Sequence, residues 1–149
     1  MSNLKVAFSI NTLDDVFRAD MDNGSSIEDR LHAIKNLHNA GIYTVLFMSP
    51  IFPYITEWKD IIDGTKENVC EYWFENLNLR GEYKSSILSY INTHHPNLKE
   101  KYETIYLEKD STYWNTLADL LNTYCNELGL NYVNYFYHEK LVKEKLNNQ

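Results

Sequence analysis

Three apolar segments of the sequence end in polar side chains, and these ends are where the chain is best equipped for chemistry. The side chains are those of Ser9, Asn11, Ser49, Glu75 and Asn76. When parallel strands lie side by side, their carboxyl ends meet at one edge of the sheet, and ligands bind there. Hydroxyl, amide and carboxylate groups gathered at that edge can hold a small polar ligand. The pattern therefore predicts one shared binding site.

The segments that carry these side chains are predicted to be strands because they are short, apolar and rich in β-forming residues. They are Lys5–Asn11, Tyr43–Ser49 and Val69–Phe74. The second is apolar on both faces, which predicts a strand covered by helices on each side. Tyr132–Tyr137 is predicted to be a fourth strand.

Helical patterns separate the strands. Thr12–Gly24 is polar and is predicted to be a loop, after which Ser25 and Glu28 have the spacing of a capping box. The helix that they begin is expected to end before Gly41. The other predicted helices are Thr56–Lys66 with Thr56 as its cap, Lys84–Asn92, Leu98–Tyr106, and Ser111–Leu128 with Ser111 as its cap. Strands alternating with helices predict an α/β fold with a parallel sheet, in one domain over residues 1–149.

Composition excludes several classes of protein. The net charge of -7 gives no support to a general affinity for nucleic acid, since phosphate binding draws on clustered cations. The chain has no apolar stretch near the roughly 20 residues needed to cross a bilayer, and no secretory signal. Its two cysteines have no metal-ligand spacing. A cytoplasmic domain without a metal site is expected.

Several separated motifs resemble those of one family. The run VAFSINTLDDVFRADMDNGSSIEDRLHAIKNLHNAGIYTVLFMSPIFP contains an S-x-N strand, a Ser-rich loop before an E-x-R-L helix, an A-G-I link and a strand ending in S-P-I-F-P. It is similar to the stretch between the fourth and fifth barrel strands of radical S-adenosylmethionine proteins, in the branch related to spore photoproduct lyase and often labelled DNA-repair-photolyase-like. WFENLNLRGEYK and NYVNYFYHE resemble later parts of these proteins. The resemblance covers nearly the whole chain.

The resemblance implies the carboxyl-terminal half of a TIM-like barrel, with about four parallel strands and outer helices. It also implies two cofactors, S-adenosylmethionine and a [4Fe-4S] cluster, which together generate a 5′-deoxyadenosyl radical in the complete enzyme. The family's C-x-x-x-C-x-x-C loop is absent, and Cys70 and Cys125 cannot replace its three thiolates. The chain alone is therefore expected to hold no cluster and to be inactive. Its implied partner is the missing amino-terminal half, in cis or in trans.

The resemblance also assigns expected roles to strand-end residues. Ser9 and Asn11 are expected to contact the ribose or methionyl part of S-adenosylmethionine, and Arg30 its carboxylate. Ser49, followed by Pro50, is expected near the adenine. Other readings remain open for each of them. Asn11 can cap its own turn, Arg30 can pair with Asp29 or another nearby acid, and Ser49-Pro50 can simply end a strand.

The end of the third strand has a similar choice of readings. Glu75 and Asn76 are expected to contact adenine or substrate edges, and Arg80 could bind a substrate carboxylate or phosphate. The alternative is a plain turn through Asn78 that ends at Gly81. No residue is assigned as catalytic.

The histidines and the last tyrosines carry weaker signals. His94 and His95 lack a third ligand, so a metal site is not favoured. His32 and His38 are expected to be solvated or to pack against a helix. Core packing is favoured over a radical relay for Tyr135, Tyr137 and His138, because no family motif maps onto them.

Two other functions compete with the radical enzyme. A half barrel leaves an open sheet edge and an apolar face, so the main alternative is a non-catalytic binding or assembly domain that forms a homodimer through its open barrel edge. A hydrolase that pairs Glu75 with Glu71 or Asp63 would need the two carboxylates close together. The sequence identifies no substrate for any of these functions.

Overall fold

Four strands and six α-helices make up residues 4–136, the part of the chain that the computed structural model describes. The strands are β1 Lys5–Ser9, β2 Tyr43–Ile51, β3 Glu71–Asn76 and β4 Tyr132–Asn134. The helices are α1 Asp15–Met21, α2 Ile27–Asn39, α3 Trp58–Thr65, α4 Gly81–His94, α5 Lys99–Tyr106 and α6 Thr112–Glu127, with a short 3₁₀ turn at Pro96–Leu98.

The strands form one sheet in the order β1-β2-β3-β4, and every neighbouring pair is parallel. Lys5 pairs with Tyr43 at one end of β1, and Ser9 pairs with Phe47 at the other. This arrangement confirms the predicted α/β fold with a parallel sheet. It also places the carboxyl ends of the first three strands at the same edge, as the sequence analysis requires.

The helices cover one face of this sheet. Alternate strand residues on that face, among them Leu46, Met48, Tyr72 and Phe74, belong to a single buried cluster with apolar side chains of the helices. Burial of this continuous apolar surface is the main force holding helices to sheet. Tyr72 is 1% exposed and Phe74, Leu46 and Met48 are fully buried beside it, so solvent does not reach this face.

The opposite face has no helix against it within residues 4–136. Its side chains are those of the other alternate positions, and none of them belongs to the buried cluster. Phe47 and Trp73 cover part of this face, with ring centroids 5.9 Å apart in an edge-to-face contact. The expectation that helices cover β2 on both sides is therefore wrong for the described residues. The apolar side chains of β2 on this face pack instead against side chains of the neighbouring strands, as Phe47 does against Trp73.

The predicted loop Thr12–Gly24 is also wrong, because it contains α1. Asp14 caps this helix by accepting hydrogen bonds from the backbone N–H groups of Val16 and Phe17, at 3.0 and 3.2 Å. Phe17 is the single buried side chain of the helix and anchors it to the core. One buried residue in seven gives no periodicity for a sequence reading to detect.

Three predicted helix caps differ in the structure. Ser26 rather than Ser25 caps α2, because its Oγ accepts from the Asp29 N–H at 3.1 Å. Thr56 accepts from the Phe52 N–H at 2.8 Å and so closes the preceding turn, while α3 begins after Glu57. Ser111 stands at the cap position of α6 but makes no side-chain cap bond.

Strand boundaries differ from the prediction by a few residues. β2 continues past Pro50 to Ile51, through an irregularity in its pairing with β3 between Met48 and Ile51. β3 is shifted towards the carboxyl end and includes Glu75 and Asn76, which the sequence reading placed in a turn. The predicted strand end at Tyr137 lies outside the described residues, as does His138. No helix within residues 4–136 has the length and apolarity needed to span a bilayer.

Candidate functional site

A cleft of about 430 Å³ opens at the carboxyl ends of β1 and β2. We call it the rim cleft, and its polar walls come from Ser9, Asn11, Asp20, Asp22, Arg30, Ser49 and Tyr83. Four of the predicted ligand-binding residues therefore lie around one space, although they are up to 40 positions apart in sequence. The parallel pairing of β1 with β2 causes this, because it brings the two polar strand ends to one edge.

Arg30 joins the helix layer to the end of β1. Its Nη1 donates a hydrogen bond to the backbone carbonyl of Ser9 at 3.0 Å, and its Nη2 donates to Asp22 Oδ1 at 2.8 Å. The partner is thus a nearby acid, but not Asp29. The Arg30 side chain is only 14% exposed, so these bonds fix its orientation at the cleft wall.

Gly24 leaves the space that Arg30 occupies. A Cβ at this position would lie 2.6 Å from Arg30 Nη2, well inside van der Waals contact. Any other residue would therefore displace the guanidinium. The Gly24 backbone also contributes directly, since its N–H donates to Asp22 Oδ1 at 2.8 Å and its carbonyl accepts from Arg18 at 3.0 Å.

Asp22 is held as a carboxylate. Partial burial raises its pKa, but hydrogen bonds from Arg30, the Gly24 N–H and Arg18 outweigh that effect, and the net pKa lies below the ordinary value. The carboxylate in turn keeps Arg30 in place. The remaining N–H groups of the fixed guanidinium can donate to a ligand carboxylate, although they lie beside two acids, Asp20 and Asp22.

Asn11 and Ser49 make hydrogen bonds across the strand ends. Asn11 Nδ2 donates to the Pro50 carbonyl at 2.9 Å, so it ties β1 to β2 rather than capping its own turn. Ser49 Oγ donates to Glu75 Oε1 at 3.0 Å, which links β2 to β3. Both bonds leave acceptor oxygens, Asn11 Oδ1 and the free lone pairs of Ser49 Oγ, for a ligand at the edge.

Asn76 is not part of this group. Side chains alternate along β3, so Glu75 points to the uncovered face and Asn76 to the helix-covered face. Asn76 lines a second cleft with Asn78 and Arg80. Its Nδ2 donates to Asn78 Oδ1 at 3.3 Å, while its Oδ1 is buried without a hydrogen-bond partner.

The uncovered face holds a polar group around Glu71, which the sequence suggested only as a possible hydrolase carboxylate. Glu71 accepts hydrogen bonds from Tyr43 Oη at 2.9 Å and from Trp73 Nε1, and Lys5 Nζ lies 3.8 Å away. Burial raises the pKa of Glu71, but the combined effect of these donors is larger and opposite, so the net pKa is below 4.5. The alternation of polar and apolar residues in EYWFEN was the available signal.

The described residues do not fit an iron–sulfur cluster. Among residues 4–136, no three His, Cys, Asp or Glu side chains converge on one point. Cys125 is fully buried, which raises the pKa of its thiol to about 11. Cys70 precedes β3 at the amino edge of the sheet, opposite the rim cleft.

The weaker candidates find structural partners. His94 stacks on Tyr90 with ring centroids 4.3 Å apart, and His95 packs against Phe17 at 6.2 Å. Tyr135 packs edge-to-face on Trp73 at 6.3 Å. His38 Nδ1 lies 3.9 Å from Cys70 Sγ, and His32 lines a groove between α2 and α3.

The hydrolase pairing lacks the required geometry. Glu71 and Glu75 share a face of β3 but are separated by about 13 Å, the rise of four strand residues. Paired carboxylates in glycoside hydrolases are roughly 5–9.5 Å apart. Asp63 accepts a hydrogen bond from Tyr124 on the helix side and does not reach Glu75.

Comparison with known proteins gives one informative similarity. The chain is 35% identical to the uncharacterized protein MJ0683 of Methanocaldococcus jannaschii over 107 residues. The match covers 70% of this chain but only 39% of that protein, so the chain spans about two fifths of the length of this relative. No protein-family model matches the chain, and no solved structure matches it.

Proposed function

We propose that the chain is the carboxyl-terminal part of a radical S-adenosylmethionine enzyme of the spore-photoproduct-lyase-like branch. The observation that supports this most directly is the rim cleft, where Ser9, Asn11, Arg30 and Ser49 meet at the carboxyl edge of a parallel sheet. Ligands of parallel α/β proteins bind at that edge. The proposal joins this geometry to the motif resemblance described above.

The sheet itself is proposed to be half of a TIM-like barrel. Its strands follow one another in sequence order, and the helices lie on one face, as in the outer layer of such a barrel. The uncovered face would then be the barrel interior, with the Glu71 group and Glu75 pointing into it. The remaining strands would come from outside this chain, and most of the length of MJ0683 likewise lies outside the match.

The residues of the rim cleft fit S-adenosylmethionine by type. Arg30 would bind its carboxylate, because a guanidinium has five donors and the bonds to Ser9 and Asp22 leave others available. Asn11 and Ser49 would accept hydrogen bonds from the amino or ribose groups. Bound at a reduced cluster, S-adenosylmethionine supplies the radical chemistry, while this chain positions it and excludes water. The cluster ligands belong to the missing half.

Binding can be tested apart from activity. Isothermal titration of the chain with S-adenosylmethionine should show weak, saturable binding that Arg30→Lys reduces, because a lysine keeps the charge but loses the forked geometry. Lys66→Met, an exposed change at the end of α3, is the control and should bind as the parent does.

The complete enzyme gives the decisive result. Coexpression with a polypeptide that supplies the C-x-x-x-C-x-x-C loop and the missing strands should yield iron–sulfide absorption and reductive cleavage of S-adenosylmethionine. A well-folded complex that takes up no cluster after anaerobic reconstitution would remove the proposal. We also propose a cytoplasmic location, which the two free cysteines, Cys70 and Cys125, are compatible with.

A second candidate function is a non-catalytic assembly domain. The observation that favours it is the uncovered sheet face, where Phe47 and Trp73 are partly exposed. Pairing of two copies through this face would bury those rings. Light scattering should then show a dimer that Trp73→Glu dissociates, whereas a monomer across the micromolar range rules this candidate out.

A further inference from the structure

A second cleft, of about 410 Å³, opens at the end of β3 on the helix-covered side. We call it the basic cleft and define it by Asn76, Arg80, Lys84, Lys109, Ser111 and Trp114. It shares no lining residue with the rim cleft. The starts of α4 and α6 both border it, since Arg80 and Ser111 are their N-cap residues.

The charge of this cleft is opposite to that of the protein as a whole. Arg80, Lys84 and Lys109 line it with a single acid, Asp110, in a chain whose net charge is -7. Within residues 4–136, neither Lys84 nor Lys109 forms an ion pair. Asp110 is engaged locally, because its Oδ1 accepts from the Thr112 N–H at 2.8 Å. The cleft therefore attracts anions.

The start of α4 adds to this attraction. α4 has 14 residues and its N-cap residue makes no side-chain cap bond, whereas the start of α6 already holds the Asp110 carboxylate. The first-turn N–H groups of a helix carry partial positive charge and favour an anion. This helix end together with Lys84 and Lys109 suits a doubly charged group better than a single carboxylate. A phosphate monoester carries a charge of about −1.5 to −2 at neutral pH.

The buried amide of Asn76 indicates what else the ligand carries. Asn76 is 7% exposed, and its Oδ1 has no hydrogen-bond partner. Leaving a buried carbonyl without a hydrogen bond is unfavourable, so such a group favours a ligand that donates one. A bare anion cannot donate, but a hydroxyl or amine can. The buried rings of Trp114 and Phe136, 5.4 Å apart, form an apolar wall beside it.

We propose that the basic cleft binds a phosphate monoester whose organic part offers a hydroxyl or amine to Asn76 Oδ1. The lysines and the start of α4 hold the phosphate, and Asn76 selects the organic part. This site is independent of the radical chemistry, because it uses no residue of the rim cleft. The result of a test of the basic cleft therefore does not depend on whether the chain binds S-adenosylmethionine.

Ribose 5-phosphate, inorganic phosphate and ribose are the probes that separate these contributions. Isothermal titration of the full chain at low salt should rank ribose 5-phosphate above phosphate, with ribose not binding. Added salt should weaken both anions. Lys84→Met and Lys109→Asn should each weaken both about tenfold, the effect of losing one charged hydrogen bond. Asparagine tolerates the positive φ of 57° that Lys109 adopts.

Asn76→Leu tests the selecting role. It should leave phosphate binding unchanged and remove the preference for ribose 5-phosphate, while thermal stability stays level or rises. Lys66→Met is the matched control for charge loss and should change neither affinity. The proposal is overturned if millimolar ribose 5-phosphate does not bind, or if Lys66→Met weakens it as much as Lys84→Met does. Should Asn76→Leu not fold, the two lysine variants decide the outcome.

Discussion

Replacement of Arg30 by methionine should lower both the stability of the chain and its sensitivity to acid. The guanidinium donates to the Ser9 carbonyl at 3.0 Å and to Asp22 Oδ1 at 2.8 Å. A hydrogen bond from a charged group to a carbonyl contributes about 1.5 kcal/mol or more. The ion pair adds about 1 kcal/mol, because the 42% exposure of the Asp22 side chain allows solvent to screen it. Arg30→Met should therefore lower the free energy of unfolding by about 2.5 kcal/mol, the combined effect of both bonds.

The sign of the pH effect follows from Asp22. Its folded-state pKa is lowered, so it contributes stability above its unfolded value of 3.8 and loses that contribution as the pH falls through the folded value. Without Arg30, the pKa of Asp22 in the folded state moves back up. The stability of Arg30→Met should then fall less steeply with acid than that of the parent.

Urea unfolding followed by tryptophan fluorescence, at neutral pH and at several acid values, measures both effects. A double-mutant cycle with Asp22→Asn isolates the pair and should give a coupling of about 1 kcal/mol. Lys66→Met, which removes a charge far from the cleft, should leave stability within about 0.5 kcal/mol. Strict additivity of Arg30→Met and Asp22→Asn, with unchanged acid dependence, would refute the reasoning.

Three further predictions concern stability. Tyr102→Phe should lower the free energy of unfolding by about 1–3 kcal/mol in urea titrations, because the Pro53 carbonyl loses a buried donor at 2.8 Å; an unchanged midpoint would contradict this. Burial raises the Glu71 pKa, but its hydrogen-bond donors lower it by more, so its carboxylate stabilises the fold until acid protonates it. Glu71→Gln should therefore reduce the loss of thermal stability below pH 4.5. An equal acid loss in both proteins would count against that assignment. Gly24→Ala should lower stability by less than Arg30→Met does, because an added Cβ displaces the Arg30 guanidinium without removing it. A larger loss of stability in calorimetry for Gly24→Ala would disprove this.

The sheet could be predicted from sequence because its signal is local. Tyr43–Ser49 and Val69–Phe74 are apolar runs bounded by polar residues, and each lies within a few residues of an observed strand. α1 is not predictable from hydrophobic periodicity, because Phe17 is its single buried residue. The cap of α2 was misplaced by one residue because Ser25 and Ser26 are chemically equivalent, and only the backbone of the preceding turn decides between them.

The candidate site was partly predictable for the same reason. The carboxyl edge of the parallel sheet brings Ser9, Asn11 and Ser49 together, and polar residues at the ends of apolar segments predict such an edge. The partners of Arg30 were not visible, since they depend on the path of the chain between α1 and α2. Asn76 was grouped with Glu75 because a turn was expected there, but strand alternation sends the two side chains to opposite faces.

The strand order has a consequence for how the chain acquires its structure. Among residues 4–136, each strand pairs only with strands adjacent to it in sequence, so pairing requires no segment that is synthesised much later. During synthesis, β1 and β2 can join around α1 and α2 before β3 leaves the ribosome. A chain truncated after α3 should therefore still be able to pair β1 with β2. Deletion of β2, in contrast, would leave β1 without contact to β3 and β4 in the sheet.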